Sequence, residues 1–382
     1  MKLMKRPVFY FACIVIVFIS IIYSCCKENI DEESSLPYLR GMNVAWNERT
    51  KVQGSHAGAT HPEASWFTCS DVVRMKNAGA NCLELHQIGL PELMSERGIP
   101  DEEFFETFLD EWVDWCTRNE MYCIINITGF GAWADWAFYL SMPSWLYEGT
   151  GVNVSDKPSC DSFIRDFFDL DVEAQQPNRA AFARLWKFIA CRYKENPWVM
   201  FSIMNEPFWK VDIPDEATAI RLGGSYSLFM EQIVDTIRST GARQPVIIDL
   251  PFLWNSQWQF TVQPVSRENI IWEAHVYGDV WDPSLGSFKS NLDAIVELFV
   301  NGFSKPLFIG EYGFNPMLSI RGNAGADWKT MLTGEISYLD SLPIIGRQFA
   351  AWDNMYGEYA LFSGESDLTA EESEWVLNTV LK

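Results

Sequence analysis

The chain contains 382 residues, 48% of them apolar or aromatic and 21% charged, which excludes a disordered, collagen-like or disulfide-stapled miniature protein. Its 29 basic and 51 acidic residues give a net charge of -22, which disfavours nucleic-acid partners because these require a basic surface. The 17 tryptophans exceed what a core of this size needs, and flat rings in excess favour ligands with flat faces, sugars first among them.

Residues 1–24 predict an export signal. Three basic residues within the first six precede an almost wholly apolar run, 8–23, which is the order typical of a secretory leader. The run ends in Ile22-Tyr23-Ser24-Cys25, which resembles the cleavage box of bacterial lipoproteins, in which Cys25 becomes the first residue and receives the lipid. Tyr23 is bulkier than that box usually shows, so an uncleaved membrane anchor is the alternative.

Residues 25–35 predict an acidic spacer between the membrane and the domain. The stretch 27–35 reads Lys-Glu-Asn-Ile-Asp-Glu-Glu-Ser-Ser, a solvated composition that also resembles the acidic tag of surface-exposed lipoproteins. We therefore expect a protein tethered to the cell envelope through the lipid on Cys25, at the outer-membrane surface of a Gram-negative bacterium. No second apolar run in the sequence is long and charge-free enough to span a bilayer.

Residues 36–382 predict one domain in which short apolar runs alternate with longer amphipathic segments. The strand predictions are 39–45, 80–86, 122–128, 198–204, 245–250, 270–277, 306–311 and 347–352. These runs are apolar nearly throughout, as expected for parallel strands covered on both faces. The helical predictions are 101–119, 180–194, 225–240, 291–301 and 327–342. Eight such units in about 350 residues predict a closed (β/α)8 TIM barrel.

A doubly wound open sheet is the alternative architecture. Its phosphate-binding glycine turn is missing after the first strand, where the chain reads Met42-Asn43-Val44-Ala45-Trp46. The longest predicted loop, roughly 130–177, follows the third strand, and a loop of this length inside a compact domain is usually functional. It contains the aromatic residues Trp133, Trp136, Trp145 and Tyr147.

Polar residues converge at the carboxyl ends of the later strands, where a barrel holds its reactive groups. The motifs are Asn205-Glu206-Pro207 after strand four, His275-Val276-Tyr277 at strand six, Glu311-Tyr312-Gly313 after strand seven and Trp352 at strand eight. Strands four and seven face each other across the barrel, so Glu206 and Glu311 can lie on opposite sides of a glycosidic bond. At a separation of about 5 to 5.5 Å, one carboxylate acts as nucleophile and the other as acid and then base.

From strand one to strand eight, this set of motifs closely resembles the retaining glycoside hydrolases of family 5, the cellulase family. The resemblance implies that Glu206 is the acid/base and Glu311 the nucleophile. It also implies that Asn205 binds the hydroxyl next to the anomeric carbon and that Tyr277 positions the nucleophile Glu311. Trp352 would form the floor of the sugar subsite. Core packing is the alternative for Trp352.

Two regions depart from the family pattern, which usually places an arginine at the end of strand two and a histidine at the end of strand three. Here the chain reads Leu83-Glu84-Leu85-His86 and Asn126-Ile127-Thr128-Gly129. We expect His86 to take the first role, as a donor near the nucleophile, and Thr128 the second. Glu84 is either outward or paired, or it points into the barrel as a third carboxylate that raises neighbouring pKa values.

Further ligand candidates are weaker. His275 either orients Glu206 or a substrate hydroxyl, or is a satisfied core histidine. Seven tryptophans lie in or near loops that follow strands, and we expect roughly half of them to stack on sugars. They are Trp46, Trp133, Trp136, Trp209, Trp254, Trp258 and Trp281, with Trp46 the first candidate for substrate binding.

The sequence thus predicts a monomeric, retaining β-glycoside hydrolase, endo-acting on a β-1,4-linked glucan, mannan or related polysaccharide or oligosaccharide. The alternative is a surface lipoprotein that binds glycans with an eroded site, which the missing arginine and histidine motivate. An exo-acting glycosidase or a transglycosylase would use the same residues. Hydrolysis by two carboxylates needs no cofactor, and the histidines and cysteines show no metal-ligand spacing, so we expect neither a cofactor nor a metal.

Overall fold

The computed structural model describes residues 36–45, 68–86, 94–96, 99–100, 102, 105–126, 129–132, 140–141, 144–147, 149–209, 211–251, 262–278, 285–314, 328–353 and 369–382. Several predicted features lie outside these residues, namely the leader, the spacer, Cys25, Trp46, Thr128, Trp133, Trp136, Trp254, Trp258 and Trp281.

Eight parallel strands close into a barrel in chain order, and the last pairs with the first. They are β1 (Leu39–Ala45), β2 (Cys82–His86), β3 (Tyr122–Asn126), β4 (Val199–Ser202), β5 (Val246–Asp249), β6 (Ile270–Gly278), β7 (Leu307–Phe314) and β8 (Gly346–Asp353). All eight predicted strands are present, with small shifts at their ends. The predicted (β/α)8 barrel is therefore confirmed.

Helices surround the barrel. The α-helices are Cys69–Ala78, Asp110–Arg118, Ser144–Tyr147, Lys157–Phe168, Gln176–Tyr193, Glu216–Arg238, Gly286–Val296, Trp328–Leu339 and Ala370–Val380. Phe105–Leu109 and Glu297–Gly302 are π-helical, and Glu173–Gln175 is a 3-10 turn. Each predicted helical segment overlaps one of these helices. Within the described part of the chain, no helix is both long and apolar enough to cross a membrane.

The apolar core lies between the strands and the helices. On β6, for example, Trp272 points outward and its ring lies 4.7 Å from that of Phe299 and 6.5 Å from that of Phe303, centroid to centroid. Because successive side chains of a strand point to opposite faces, the neighbours of Trp272 point into the barrel. The fully buried polar residues of the barrel strands include Asn43, Glu84, Asn126, Ser202, Asp249, Glu273 and Gln348, and Arg347 of β8 is buried against Tyr312 and Asp340. Several of these polar side chains lie on the inner face of the barrel, as the alternation along β6 shows for Glu273.

The segment after β3, predicted as a long loop, contains regular structure instead. Ser144–Tyr147 and Lys157–Phe168 are helices within it, and Trp145 is only 3% exposed, so this ring packs in the interior. Gly129–Ala132 pairs with Leu140–Ser141 and, in parallel, with Asn205–Trp209 after β4. This three-stranded sheet links the chain that follows β3 to the chain that follows β4.

A second addition follows β2, where Met94–Glu96 and Ile99–Pro100 form a two-stranded antiparallel ribbon.

Candidate active site

The turn after β4 holds Glu206 in a constrained conformation. Its φ of 45° and the φ of 64° at Phe208 lie in the left-handed region, which side-chain-bearing residues rarely adopt. The backbone N–H of Glu206 donates to Oδ2 of Asp249 at the end of β5, at 2.6 Å. The ring of Phe208 packs 4.5 Å from that of Phe168, centroid to centroid. These two contacts fix the turn that presents Glu206.

Three inward side chains follow one another along β6. Glu273, His275 and Tyr277 are two residues apart, so they lie on the same face of the strand, from the barrel floor towards its mouth. Glu273 is fully buried, the His275 side chain is 1% exposed and Tyr277 is half-buried. The alternation of β6 thus places a carboxyl, an imidazole and a phenol in one column.

A β-bulge in β7 directs Glu311 towards this column. Ala274 of β6 pairs with Ile309, but the next residue, His275, pairs with Glu311, so Gly310 is an extra residue. A Cβ atom on Gly310 would lie 1.5 Å from Oε1 of Glu273. The Glu273 carboxyl therefore fills the space that a side chain at position 310 would need, and glycine is required there.

The two candidate catalytic carboxylates meet at His275. Its Nδ1 lies 3.0 Å from Oε1 of Glu206 and 3.5 Å from Oε2 of Glu311, and the Tyr277 hydroxyl donates to Oε2 of Glu311. One side-chain atom of each of Glu206, His275 and Glu311 lies within 4.8 Å of the others. The two carboxyl groups are therefore close neighbours, as the short spacing of about 5 to 5.5 Å in retaining glycosidases requires.

Below this pair, further carboxyl groups face the other side of the imidazole. Nε2 of His275 lies 3.7 Å from Oδ2 of Asp249 and 3.7 Å from Oε1 of Glu273. The other oxygen of Glu273, Oε2, accepts a hydrogen bond from Oγ of Ser202 at 3.1 Å. The imidazole is thus surrounded by carboxyl groups above and below.

Glu84 points into the barrel, which is the second of the two possibilities that the sequence left open. Its Oε1 accepts from Nδ2 of Asn126 at 2.7 Å, and the same amide lies 3.0 Å from Oγ of Ser202. Burial raises the pKa of Glu84 well above its usual value, and the neighbouring Glu273 and Glu311 carboxylates raise it further. These surroundings favour the neutral form of the Glu84 carboxyl group.

The electrostatics of the floor favour a charged imidazole. Burial alone would lower the pKa of His275, but the Asp249 and Glu311 carboxylates and contacts with Glu206 and Glu273 raise it well above 6.5. Burial also raises the pKa of Asp249, an effect that the charge of His275 opposes.

The structure brings together four of the predicted site residues, Glu206, His275, Tyr277 and Glu311, and Asn205, which directly precedes Glu206, is buried. His86 is the last residue of β2, and Trp352 lies near the end of β8, so both backbones are at the predicted barrel mouth. Their side chains lie outside the part of the chain that the structure describes. Trp209 ends the strand that contains Glu206 and is half-buried.

Sequence reasoning missed Asp249 and Glu273. A signal for Asp249 was its place at the end of an apolar strand. Glu273 had the weaker signal of an acid two residues before His275, hence on the same strand face.

The spacing of Glu206, His275 and Glu311 would also suit a small cation. Two oxygens of this group already have protein partners, since Glu206 contacts His275 and Glu311 accepts from Tyr277. These contacts account for the spacing, and we assign no metal to it.

Comparisons with known proteins agree with this geometry. The family model described as Cellulase (glycosyl hydrolase family 5) matches residues 50–356. XacCel5A in complex with cellopentaose aligns with a TM-score of 0.57 and 16% identity, over 90% of this chain and 99% of that chain. The lactosyl-enzyme intermediate of endo-glycoceramidase II from Rhodococcus sp. aligns with a TM-score of 0.68 and 15% identity, over 90% and 78%.

The cellulose synthase subunit Z from Clostridioides difficile aligns with a TM-score of 0.60 and 12% identity, over 90% of this chain and 99% of that chain. No curated protein sequence matches the chain. At these identities the solved structures show a shared fold, and the family model carries the relationship.

Proposed function

The chain belongs to the cellulase family, glycosyl hydrolase family 5, and we propose that it is a retaining β-glycoside hydrolase that works by double displacement. The predicted family and the predicted enzyme class, a glycoside hydrolase, are confirmed by the family match over most of the barrel. The observation that carries the mechanism is that two carboxylates, one from the segment after β4 and one from β7, lie with an oxygen of each within 4.8 Å of the other at one imidazole.

In the first step, Oε of Glu311 attacks the anomeric carbon while the glycosidic C–O bond breaks and Glu206 donates its proton to the leaving oxygen. In the second step, Glu206 removes a proton from water, which attacks the same carbon and releases the sugar from Glu311. Two inversions at one carbon leave the β configuration unchanged.

The surroundings of the two glutamates support this division of roles. The Glu311 side chain is 6% exposed and accepts a hydrogen bond from Tyr277, which stabilises an ionised oxygen and aims it. The Glu206 side chain is 18% exposed, closer to solvent, where a leaving group departs and water arrives. A fixed anion suits the nucleophile, and access to water suits the acid and base.

For the substrate we propose an internal β-1,4 linkage of a glucan, mannan or related polysaccharide. The solved relatives guide the choice of test compounds, because XacCel5A is seen with cellopentaose and endo-glycoceramidase II with a lactosyl group. A soluble β-glucan, a β-mannan and a lactosyl glycolipid therefore form the panel for measuring new reducing ends.

The retaining mechanism is tested by nuclear magnetic resonance of the sugar that is formed first. We expect the β anomer to appear before mutarotation, and initial appearance of the α anomer would exclude double displacement. Binding of a glycan without release of reducing ends would instead support a glycan-binding lipoprotein. The inward Glu84, at the strand where the family usually has an arginine, is the observation that favours this second candidate.

We also propose that the enzyme acts as a monomer, lipid-anchored through Cys25 at the outer-membrane surface. Support comes from the leader, the cleavage box and the acidic stretch that follows. Cys25→Ala should abolish incorporation of a labelled fatty acid, whereas the neighbouring Cys26→Ala should leave it intact. Unchanged labelling of the Cys25 variant would refute the anchor.

A further inference from the structure

Glu273 is a fully buried acidic residue that the double-displacement reaction does not use. It lies on β6 below His275, with Oε2 accepting from Ser202 and Oε1 at 3.7 Å from the His275 ring nitrogen Nε2. A carboxyl group without exposure to water is costly unless it is paired, so its presence needs an explanation.

The position of Glu273 is fixed from a second side. Its Oε1 occupies the place where a side chain at Gly310 would stand, directly beneath the bulge that directs Glu311. Glu273 is thus held between Ser202, Gly310 and the imidazole.

The contacts of His275 constrain its protonation. Nδ1 faces Glu206 and Glu311, and Nε2 faces Asp249 and Glu273. A neutral imidazole has one N–H and presents a lone pair at its other nitrogen, whereas the imidazolium carries an N–H at both. With oxygens on both sides, only the cation offers a proton in each direction.

Among the groups below the ring, Glu273 is the best candidate for the counter-ion. Glu273 and Asp249 each place an oxygen 3.7 Å from Nε2, whereas Glu84 is engaged with Asn126. Asp249 is also committed to the backbone N–H of Glu206 through Oδ2.

We propose that Glu273 is a positioning residue whose carboxylate, fixed under the imidazole by Ser202 and Gly310, keeps His275 as an imidazolium with Nδ1–H directed at Glu206 and Glu311. The cation lies between the two carboxylates and stabilises whichever of them carries the negative charge, Glu311 before it attacks the sugar and Glu206 after it has given up its proton. This catalytic consequence rests on the proposed function, whereas the charge of the ring does not.

The experiment is a pH titration of the full chain labelled with nitrogen-15 in histidine. The four histidines give few signals, and a His275→Asn variant identifies those of His275. In the wild type we expect both ring nitrogens of His275 to stay protonated well above the usual pKa of about 6.5. In Glu273→Gln, deprotonation should move to lower pH by about one unit or more, a tenfold change in proton affinity.

Glu84→Gln is the matched control, because it alters a buried carboxyl group of the same barrel floor that is hydrogen-bonded to Asn126, and it should leave the His275 titration in place. Equal shifts in the two variants, or no shift in Glu273→Gln, would overturn the proposal. A neutral ring at pH 7 in the wild type would do the same, so the test stands even where Glu273→Gln fails to fold. Since the readout needs no substrate, its failure is distinct from an absence of glycan hydrolysis.

On an active substrate, Glu273→Gln should lower kcat with little change in KM, because Glu273 acts through His275 and does not touch the sugar. Glu273→Asp retains the charge and should recover part of the loss. Equal losses in kcat for the two variants would indicate a packing role instead.

Discussion

The backbone N–H of Glu206 donates to Oδ2 of Asp249 at 2.6 Å, which ties the turn after β4 to the end of β5. Glu206 has a φ of 45°, a conformation that costs about 1 to 3 kcal/mol when a side-chain-bearing residue adopts it. The Asp249 carboxyl is almost fully buried, and its backbone carbonyl accepts from the Tyr226 hydroxyl at 2.7 Å. A rigid acceptor therefore stabilises the strained turn that carries the candidate general acid.

Asp249→Ala should lower kcat by about 10²-fold, the usual effect of displacing a catalytic group by about 1 Å. Asp249→Asn keeps an oxygen acceptor and should lose less. Rates on a polysaccharide substrate, whose departure needs the acid, measure the effect, with circular dichroism as the control for folding. Equal losses in both variants would show that the hydrogen bond to Glu206 is not what Asp249 contributes.

The two glutamates should differ in their dependence on the leaving group. Glu206→Ala should lose about 10² to 10⁴ in rate on polysaccharide, the usual scale for general acid catalysis, yet retain faster glycosylation by an activated aryl glycoside. Glu311→Ala should lose activity on both substrates, because the nucleophile is required whatever group departs.

Azide provides the check on this assignment, because it enters the space that each missing side chain leaves. A β-glycosyl azide is expected from Glu206→Ala and an α-glycosyl azide from Glu311→Ala, since the two attacks occur on opposite faces of the sugar. The reverse pattern would mean that the two roles are exchanged.

Gly310→Ala should destabilise the fold by about 1 to 3 kcal/mol, the usual cost of overpacking, and lower kcat by displacing Glu311. The new Cβ would lie 1.5 Å from Oε1 of Glu273. Gly224→Ala is the matched control, since its Cβ meets nothing within 4 Å in the helix Glu216–Arg238, and it should stabilise by about 0.5 to 1 kcal/mol. Urea unfolding measures both.

Shortening Glu273 to alanine in the Gly310→Ala background should relieve part of the clash. The double variant is then less destabilised than the sum of its single changes. Strict additivity would argue against the contact between the Glu273 carboxyl and position 310.

Glu335, buried in the helix Trp328–Leu339, should make stability depend on pH. Burial raises its pKa well above 4.5, and neither carboxyl oxygen has a hydrogen-bond partner among the described residues. The folded chain therefore keeps a proton that the unfolded chain releases. The free energy of unfolding is therefore highest below about pH 4.5, and it falls as the pH rises towards the pKa of Glu335 in the folded chain.

Two variants separate charge from polarity at this position. Glu335→Gln removes the titration and should flatten the decline in the free energy of unfolding between about pH 5 and about pH 8. Glu335→Met also removes the buried polar atoms and should gain about 1 to 3 kcal/mol at the higher pH. A wild-type stability that does not fall over this interval would contradict the protonated state.

The barrel could be predicted because its strands are buried on both faces and therefore appear as continuous apolar runs. Glu206 and Glu311 could be predicted because they directly follow such runs. Glu273 could not, because its role depends on the bulge at Gly310 and on which residues of neighbouring strands pair. The inward orientation of Glu84 likewise depends on strand register, which apolar runs do not determine.

Three helices lie outside the segments that the apolar periodicity indicated, although their first residues carry capping signals. The helices Cys69–Ala78 and Ala370–Val380 both begin with a capping box, Thr68 with Asp71 and Thr369 with Glu372, which was visible as a threonine followed three residues later by an acid. The helix Lys157–Phe168 begins after Asp156 as N-cap, with proline in its first turn, so its start was also marked in the sequence.

The three-stranded sheet that links the segments after β3 and β4 limits which changes of sequence these segments can tolerate independently. Gly129–Ala132, from the segment after β3, hydrogen-bonds directly to Asn205–Trp209, which contains Glu206. A change of length or sequence in Gly129–Ala132 should therefore shift Glu206, the proposed acid/base, through these backbone hydrogen bonds. The two segments therefore depend on each other. Replacing one of them with the corresponding segment of a relative should require replacing the other as well, so that Glu206 keeps its position.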